Sequence, residues 1–365
     1  MNTLFDSKRQ RKTKDYTAKD IEILDGLEAV RRHPAMYIGG TDDKALHHLA
    51  AELLDNAMDE AVAGHASFID ISLREDGGVT IADNGRGIPV EKHPKQKKKS
   101  ALEVILTTLH SGGKFSNKVY NTAGGLHGVG LSVVNALSEI LIIEVVRDQK
   151  LWRQKYMHGK PQGPLESIGI AKKKRGTSVT FYPDKTIFGD TTKFRASSLY
   201  QMANSKAYLC RGVEIRWRCP PQSVQNEKDT PAKATLKFPG GINDYLNLQT
   251  QNRQMVTDEM FSGSIEANGS EKIEWALSWL QDNETPFFKS YCNTIATPEG
   301  GSHENGLRTA LVRGLKSYGD LAKIKRASQL TADDVFSHAC GILSIFIVEP
   351  QFQGQTKERL NTPEA

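Results

Sequence analysis

The sequence predicts an α/β protein built as two successive units, and three observations predict it. From Ile21 to about Pro183, segments of helical and strand periodicity alternate, and "GVEIRWR" (Gly212 to Arg218) closes that region with one more strand. Polar "PPQSVQNEKDTPAK" (Pro220 to Lys233) then interrupts the pattern, as a domain boundary or an inter-strand loop. Beyond it "KIEWALSWL" reads as a strand, "GGSHENGLRTALVRGLKSYG" as a capped helix and "GILSIFIVEP" as a buried strand, an order that packs a crossover helix onto a sheet.

Composition sets the class. A chain of 365 residues is long enough for two cores, and 38% hydrophobic with 25% charged residues describes an ordinary soluble protein. No run of 18 apolar residues and no charged-then-apolar amino terminus occurs, so a membrane span and a secretory signal are not expected and the cytosol is. Cys210, Cys219, Cys292 and Cys340 lack C-x-x-C spacing, which argues against a zinc site and a disulfide framework. A net charge of +5 is compatible with a polyanionic partner and demands none.

Taken in order, residues 1–20 are polar, carry Lys8, Arg9, Arg11, Lys12 and Lys14, and read as an arm without apolar periodicity. The helix from Leu46 to about Ala63 buries Leu46, Leu49, Leu53, Leu54 and Ala57 on one face. Its opposite stripe stacks Glu52, Asn56, Asp59 and Glu60, with Asp55 beside them. Such a stripe is either a solvated face or an oxygen-rich seat for Mg²⁺ with one carboxylate left to take a proton from water.

Next, "IDISLREDGGVTIADNGRGIP" predicts a hairpin turning at Asp76-Gly77-Gly78. By its period Asp83 shares the apolar face of Val79 and Ile81, where it would either cap the "DNGRG" turn or accept from an exocyclic amino group of a base. Gly85 and Gly87 would let a flat ligand lie on the backbone, with Ile88 and Pro89 as a wall. Lys92 to Ala123 has Lys-, Gly-, Ser- and Asn-rich ends, which describes a lid; Lys114 would meet phosphates, whereas Lys97 to Lys99 read as solvated. "GGLHGVGLSVVNALS" (Gly124 to Ser138) then brings glycines to the entrance of a helix, a tight turn or a phosphate cradle.

"ELLDNAMDEAVAG", "DNGRGIP", "GGLHGVG" and "RGTSVTFYPD", in that order, resemble the nucleotide-binding motifs of the gyrase, Hsp90, histidine kinase and MutL (GHKL) ATPase superfamily. From "LEAVRRHPAMYIGGTDD" through "EGGSHENGLRTAL" to "FQGQTKERL", the chain resembles the ATPase half of the B subunit of bacterial type IIA topoisomerases, with "YIGGTDD" and "FQGQTKERL" more similar to the topoisomerase IV branch than to gyrase. The resemblance implies a two-layer α/β sandwich of the GHKL (Bergerat) type over residues 21–228, with an ATP lid at about 92–124. A ribosomal protein S5 domain 2-like βαβ transducer would follow over 229–365.

It also implies ATP and Mg²⁺ as ligands. Glu52 would be the general base, oriented by His48; Asn56 would hold Mg²⁺; Asp83 would accept from the adenine amino group, supported by Thr177 through a water. Glu60 and Arg153 would pair at the pocket mouth near Arg86, Gly87 and Pro89. Lys114, Tyr120 and the run Gly124, Gly125, Leu126, His127, Gly128, Val129 and Gly130 would line ribose and phosphates. Gln355 and Lys357 would reach the γ-phosphate from the transducer, and Tyr16 would cross to a second copy, closing a homodimer. DNA and the topoisomerase IV A subunit are the implied partners, with no membrane role, and aminocoumarin-type inhibitors would bind near Asp83, Arg86 and Arg153. No D-x-D occurs in the sequence, so ATP hydrolysis without DNA cleavage is expected of this chain. A gyrase-type, histidine kinase-like or Hsp90-like ATPase, or a non-enzymatic DNA-binding module using the basic arm, are the alternatives.

Overall fold

The chain enters through two short helices, α1 (Leu27–Arg32) and α2 (Ala35–Ile38), before the twenty-residue helix α3 (Asp43–Val62). The computed structural model describes residues 17–113, 122, 128–190, 192–267, 271–281 and 285–365. Asp42 starts α3 by accepting the Ala45 N–H at 2.9 Å, three residues earlier than apolar periodicity alone suggests. The apolar stripe behaves as its spacing predicts: Leu46, Leu49, Leu53, Leu54 and Ala57 are buried.

The hairpin follows as β1 (Phe68–Leu73) and β2 (Val79–Asp83), with Leu73 opposite Val79 and Ile69 opposite Asp83. A small ribbon, β3 (Lys92–His93) and β4 (Gln96–Ser100), leads into α4 (Ala101–Thr107). Leu102 and Leu106 of α4 are fully buried in the core, so this part of the expected lid is anchored by packing. Helix α5 (Gly130–Ala136) precedes β5 (Ser138–Arg147), β6 (Lys150–Met157), β7 (Lys160–Pro161), β8 (Glu166–Ile170) and β9 (Gly176–Pro183). After α6 (Lys185–Phe188), helix α7 (Ala196–Leu209) crosses back to β10 (Glu214–Arg218) and β11 (Lys233–Leu236).

These strands form one sheet in the order β11–β10–β1–β2–β9–β5–β6–β7, with β8 also paired to β6. All pairings are antiparallel except β1 with β10. The polar stretch from Pro220 to Lys233 is the inter-strand loop between β10 and β11, and the first sheet therefore runs on to Leu236. Helices α3, α4, α5 and α7 share one apolar core with the buried residues of this sheet, giving two layers.

The second unit opens with α8 (Ile242–Thr250) and a five-stranded sheet, built from β12 (Phe261–Ala267), β13 (Glu271–Trp279), β14 (Phe288–Cys292), β15 (Ile295–Ala296) and β16 (Ala339–Phe346), in the order β12–β13–β16–β14–β15. The long helix α9 (Ser302–Leu321) and the short α10 (Ala332–Phe336) precede β16. The crossover joins β14, rather than the "KIEWALSWL" strand, to β16: β14 and β16 are parallel, whereas β13 runs antiparallel to β16. Strand β16 is buried throughout, Cys340 and Ile342 packing toward Ile242, Tyr245 and Leu246 of α8, while Leu343 and Ile345 share a cluster with Leu307 of α9. The chain ends in a small ribbon, β17 (Phe352–Gln353) and β18 (Arg359–Leu360), whose Leu360 is buried against that second cluster.

Candidate functional site

Helix α3 and sheet strands β2 and β9 enclose a cavity of about 410 Å³, closed at one end by α5 and the β17–β18 loop. Its size is that of a small-molecule site. Glu52, Asn56 and Glu60 all line it, each a helical turn from the next, so this part of the acidic stripe faces a cavity rather than bulk solvent, while Asp55 and Asp59 are buried outside its lining.

One end is organised by Asp83, the last residue of β2. The Gly85 N–H donates to Asp83 Oδ1 at 2.8 Å. Burial is the main influence on this carboxyl and pushes its pKa up to about 6; the Glu60 charge adds to that, while backbone N–H groups of Gly85 and Thr177 oppose it. The Thr177 hydroxyl accepts the Ile88 N–H at 3.2 Å, fixing the segment that carries Ile88 and Pro89 along the cavity wall. Gly176, just before it, has φ +126°, and a Cβ there would stand 1.9 Å from the Asp83 carbonyl oxygen, so no side chain fits.

At the mouth, Glu60 is held by Arg86: the Arg86 backbone N–H and Nε donate to Glu60 Oε2 (2.8 and 3.3 Å) and Nη2 donates to Oε1 (2.7 Å). The expected Glu60–Arg153 pair does not form. Arg153 lies directly across from Glu144 in the β5–β6 register and donates to it from Nε (2.8 Å) and Nη2 (2.5 Å) on the exposed side of the sheet. The second guanidinium at the mouth is Arg147, whose Nη1 donates to the Gly87 carbonyl at 2.9 Å.

At the other end His48 Nε2 stands 3.5 Å from Glu52 Oε1, and Lys357 Nζ approaches the same oxygen at 3.7 Å. Lys357 is 5% exposed. Burial is the largest influence on its ammonium and pulls the pKa down, but Glu52, Asp55 and Asp59 together outweigh it, so the pKa stands above that of an ordinary lysine. Gln355 and Lys357 reach the cavity because the β17–β18 loop docks on the first unit: Glu358 pairs with Lys44 of α3, and Thr356 lies against Gly39. Gly130, the first residue of α5, closes the same corner; a Cβ there would stand 2.0 Å from Glu52 Oε2.

The donor set suits a hard cation. Asn56 offers an amide oxygen beside Glu52, and among the described residues no cluster of three or more His, Cys, Asp or Glu forms a protein-only cage. Oxygen donors are what a hard cation that shares its coordination with phosphates would require. Tyr16, Lys114, Tyr120, Gly124, Gly125, Leu126 and His127 lie outside the described residues. Gly128, Val129 and Gly130 line the cavity, as do Tyr37, Ile38 and Ile105, which the sequence patterns did not single out.

Comparison with known proteins follows the same outline. A profile for histidine kinase-, DNA gyrase B- and HSP90-like ATPases matches residues 41–187, and one for DNA gyrase B matches residues 241–365. The 43K ATPase domain of Thermus thermophilus gyrase B, solved with an aminocoumarin, superposes with a TM-score of 0.72 at 34% identity, over 93% of this chain and 85% of that one. The ATP-binding domain of Francisella tularensis topoisomerase IV, solved with a small-molecule inhibitor, gives 0.72 and 34% over 92% and 86%.

The chain belongs to the family of type IIA topoisomerase B-subunit ATPase regions.

Within that family, the B subunit of DNA topoisomerase 4 from Rickettsia typhi is 54% identical over 99% of this chain and 55% of its own length. Its counterpart of the same name from Caulobacter vibrioides is 53% identical over 96% and 51%. This topoisomerase B-subunit ATPase region thus spans about half the length of the curated relatives it matches. Among the described residues, no helix is long and apolar enough to cross a membrane.

Proposed function

We propose that the cavity binds ATP together with Mg²⁺ and hydrolyses the γ-phosphate, and that this ATPase operates a topoisomerase IV B subunit acting in the cytosol. The observation that carries the proposal is Glu52, set between His48 and Lys357 at the end of the cavity opposite Asp83. Ionised Asp83 accepts from an exocyclic amino group, and the backbone beside Gly87 accommodates a flat base. At the other end Glu52 takes the proton of the attacking water, His48 orients its carboxylate, and Gln355 and Lys357 meet the charge that develops on the transferred phosphoryl group. When bound, Mg²⁺, held from the protein side by Asn56, neutralises phosphate charge. Gly128, Val129 and Gly130 present backbone at the entrance of α5 for phosphate oxygens.

Because the loop bearing Gln355 and Lys357 belongs to the second unit, chemistry depends on that unit being docked. ATP binding is proposed to bring two copies together through the arm that contains Tyr16, capturing a DNA segment that hydrolysis and product release set free, in assembly with the topoisomerase IV A subunit. Residues 21–236 would form the ATP-binding unit and 237–365 the transducer. Aminocoumarins, which the Thermus thermophilus gyrase B domain was solved with, would bind here near Asp83, Arg86 and Arg147.

ATP turnover measured against protein concentration, with Glu52→Ala in parallel, tests the scheme. Turnover per molecule that rises with concentration, and a variant that binds ATP but loses roughly 10²-fold or more in kcat, support it. A flat rate removes dimer closure; an active Glu52→Ala removes the assigned base.

A further inference from the structure

The two units meet at the last turn of α7, and Lys206 lies at the centre of that contact. It is 8% exposed, and its Nζ stands 2.6 Å from Asp55 Oδ1 on α3. The same ammonium donates to the Thr294 carbonyl at 2.5 Å and reaches the Thr294 hydroxyl at 3.3 Å. Thr294 belongs to the turn between β14 and β15, where Asn293 and Thr294 both hold left-handed backbone, with φ of 49° and 65°. The Asn293 amide fastens this turn to the end of β16, donating to the Ile347 carbonyl (3.0 Å) and accepting the Ile347 N–H (2.9 Å). From Ile347 the chain runs directly into the β17–β18 ribbon and its loop.

A closed circuit results. It leaves α3 at Asp55, crosses α7 through Lys206, passes through the 293–294 turn to the end of β16, and returns to α3 where Lys357 meets Glu52. Two lysines therefore face one acidic helix, and Asp55 and Asp59 attract Lys357 as well as Glu52 does. An ammonium among several carboxylates settles at the one left unpaired once the competing carboxylates have cations of their own.

We propose that Lys206 is a positioning residue for ATP hydrolysis: by occupying Asp55 and clamping the 293–294 turn, it withdraws Asp55 from competition for Lys357 and seats Lys357 at Glu52. This rests on the roles proposed above for Glu52 and Lys357. Lys206 touches neither the cavity nor a reacting atom, so its effect falls on the chemical step and not on nucleotide binding.

Steady-state ATP hydrolysis by the full chain is compared for wild type, Lys206→Met, Lys206→Arg and Lys206→Met combined with Asp55→Asn. Lys206→Met lowers kcat by about tenfold with KM for ATP within about threefold of wild type. Lys206→Arg and the double variant each recover most of that loss, because in one the charge returns and in the other Asp55 no longer competes. An unchanged kcat in Lys206→Met, or a double variant no better than the single, overturns the proposal. Amide hydrogen exchange of residues 348–360, followed without nucleotide, gives a second readout: faster exchange in Lys206→Met, returning toward wild type in the double variant, is expected, and identical exchange in all variants overturns it. If wild type fails to hydrolyse ATP, the proposed function falls, while the exchange result still decides the role of Lys206.

Discussion

A carboxyl group whose pKa is lifted to about 6 by burial is costly to keep ionised, and Asp83 is such a group. Its folded-state value lies above the unfolded one, so the folded chain holds a proton between about pH 4 and 6 that the unfolded chain has released. Stability is lost as pH rises through that window, by roughly 3 kcal/mol for a shift of this size. Asp83→Asn is therefore expected to raise the unfolding midpoint at pH 7 while weakening nucleotide binding. Acceptance from an amino group requires the ionised form, so wild-type affinity for adenine nucleotide should fall by about tenfold from pH 7 to pH 5, and Asp83→Asn should lose that dependence. Calorimetric titration of both proteins across that range checks the pair of effects. The position of Asp83 was legible in the sequence, since strand alternation put a charge on an apolar face. The same logic identifies Arg147, which continues the inward set Leu141, Ile143 and Val145 of β5, whereas Arg153 falls on the outward set of β6. Motif resemblance chose Arg153; periodicity favours Arg147.

At the scale of elements, the patterns with strong period were readable and those joined by distant contacts were not. The apolar face of α3, the β1–β2 hairpin and the buried β16 all follow from spacing within one segment. The loop between β17 and β18 carries no local mark, because Gln355 and Lys357 acquire their setting from α3, far away in the chain; only the family resemblance pointed to them. Strand β14 was missed for a similar reason: it is short, and its partner β16 lies beyond a twenty-residue helix. The close approach of α5 to α3 offers a direct test. Gly130→Ala introduces a Cβ that would lie 2.0 Å from Glu52 Oε2, forcing that carboxylate aside without opening the core. A misplacement of this order should cost about 10²-fold in turnover. Circular dichroism is expected to stay near wild type; retention of full turnover would show that Glu52 tolerates the shift.

At the scale of the whole molecule, one helix joins the two units. Tyr208 and Leu209, at the end of α7, belong to the apolar cluster of the second unit, where Tyr208 stacks on Tyr245 at a centroid distance of 3.9 Å and its hydroxyl meets that of Tyr291 at 2.5 Å. Arg211 adds an ion pair to the buried Glu274 of β13 at 2.8 Å. The Asp83 end of the cavity lies wholly in the first unit, but the lysine beside Glu52 does not. A chain ended after Phe238 should therefore bind ATP within about threefold of the full chain while losing roughly 10²-fold or more in turnover, a pair of results that equilibrium binding and phosphate release would give on one sample.

The distance along the chain between Glu52 and Lys357 also sets an order of events during synthesis. About 300 residues separate the two. A ribosome adding about 5–20 residues per second needs roughly 15 to 60 s to pass from one to the other. Once Leu236 has been made the first sheet and α3 can fold together, yet until Lys357 emerges the nascent chain lacks the ammonium that faces Glu52. On the proposed scheme a half-made molecule is silent toward its own fuel, and turnover would begin when the final ribbon of the second unit closes onto α3.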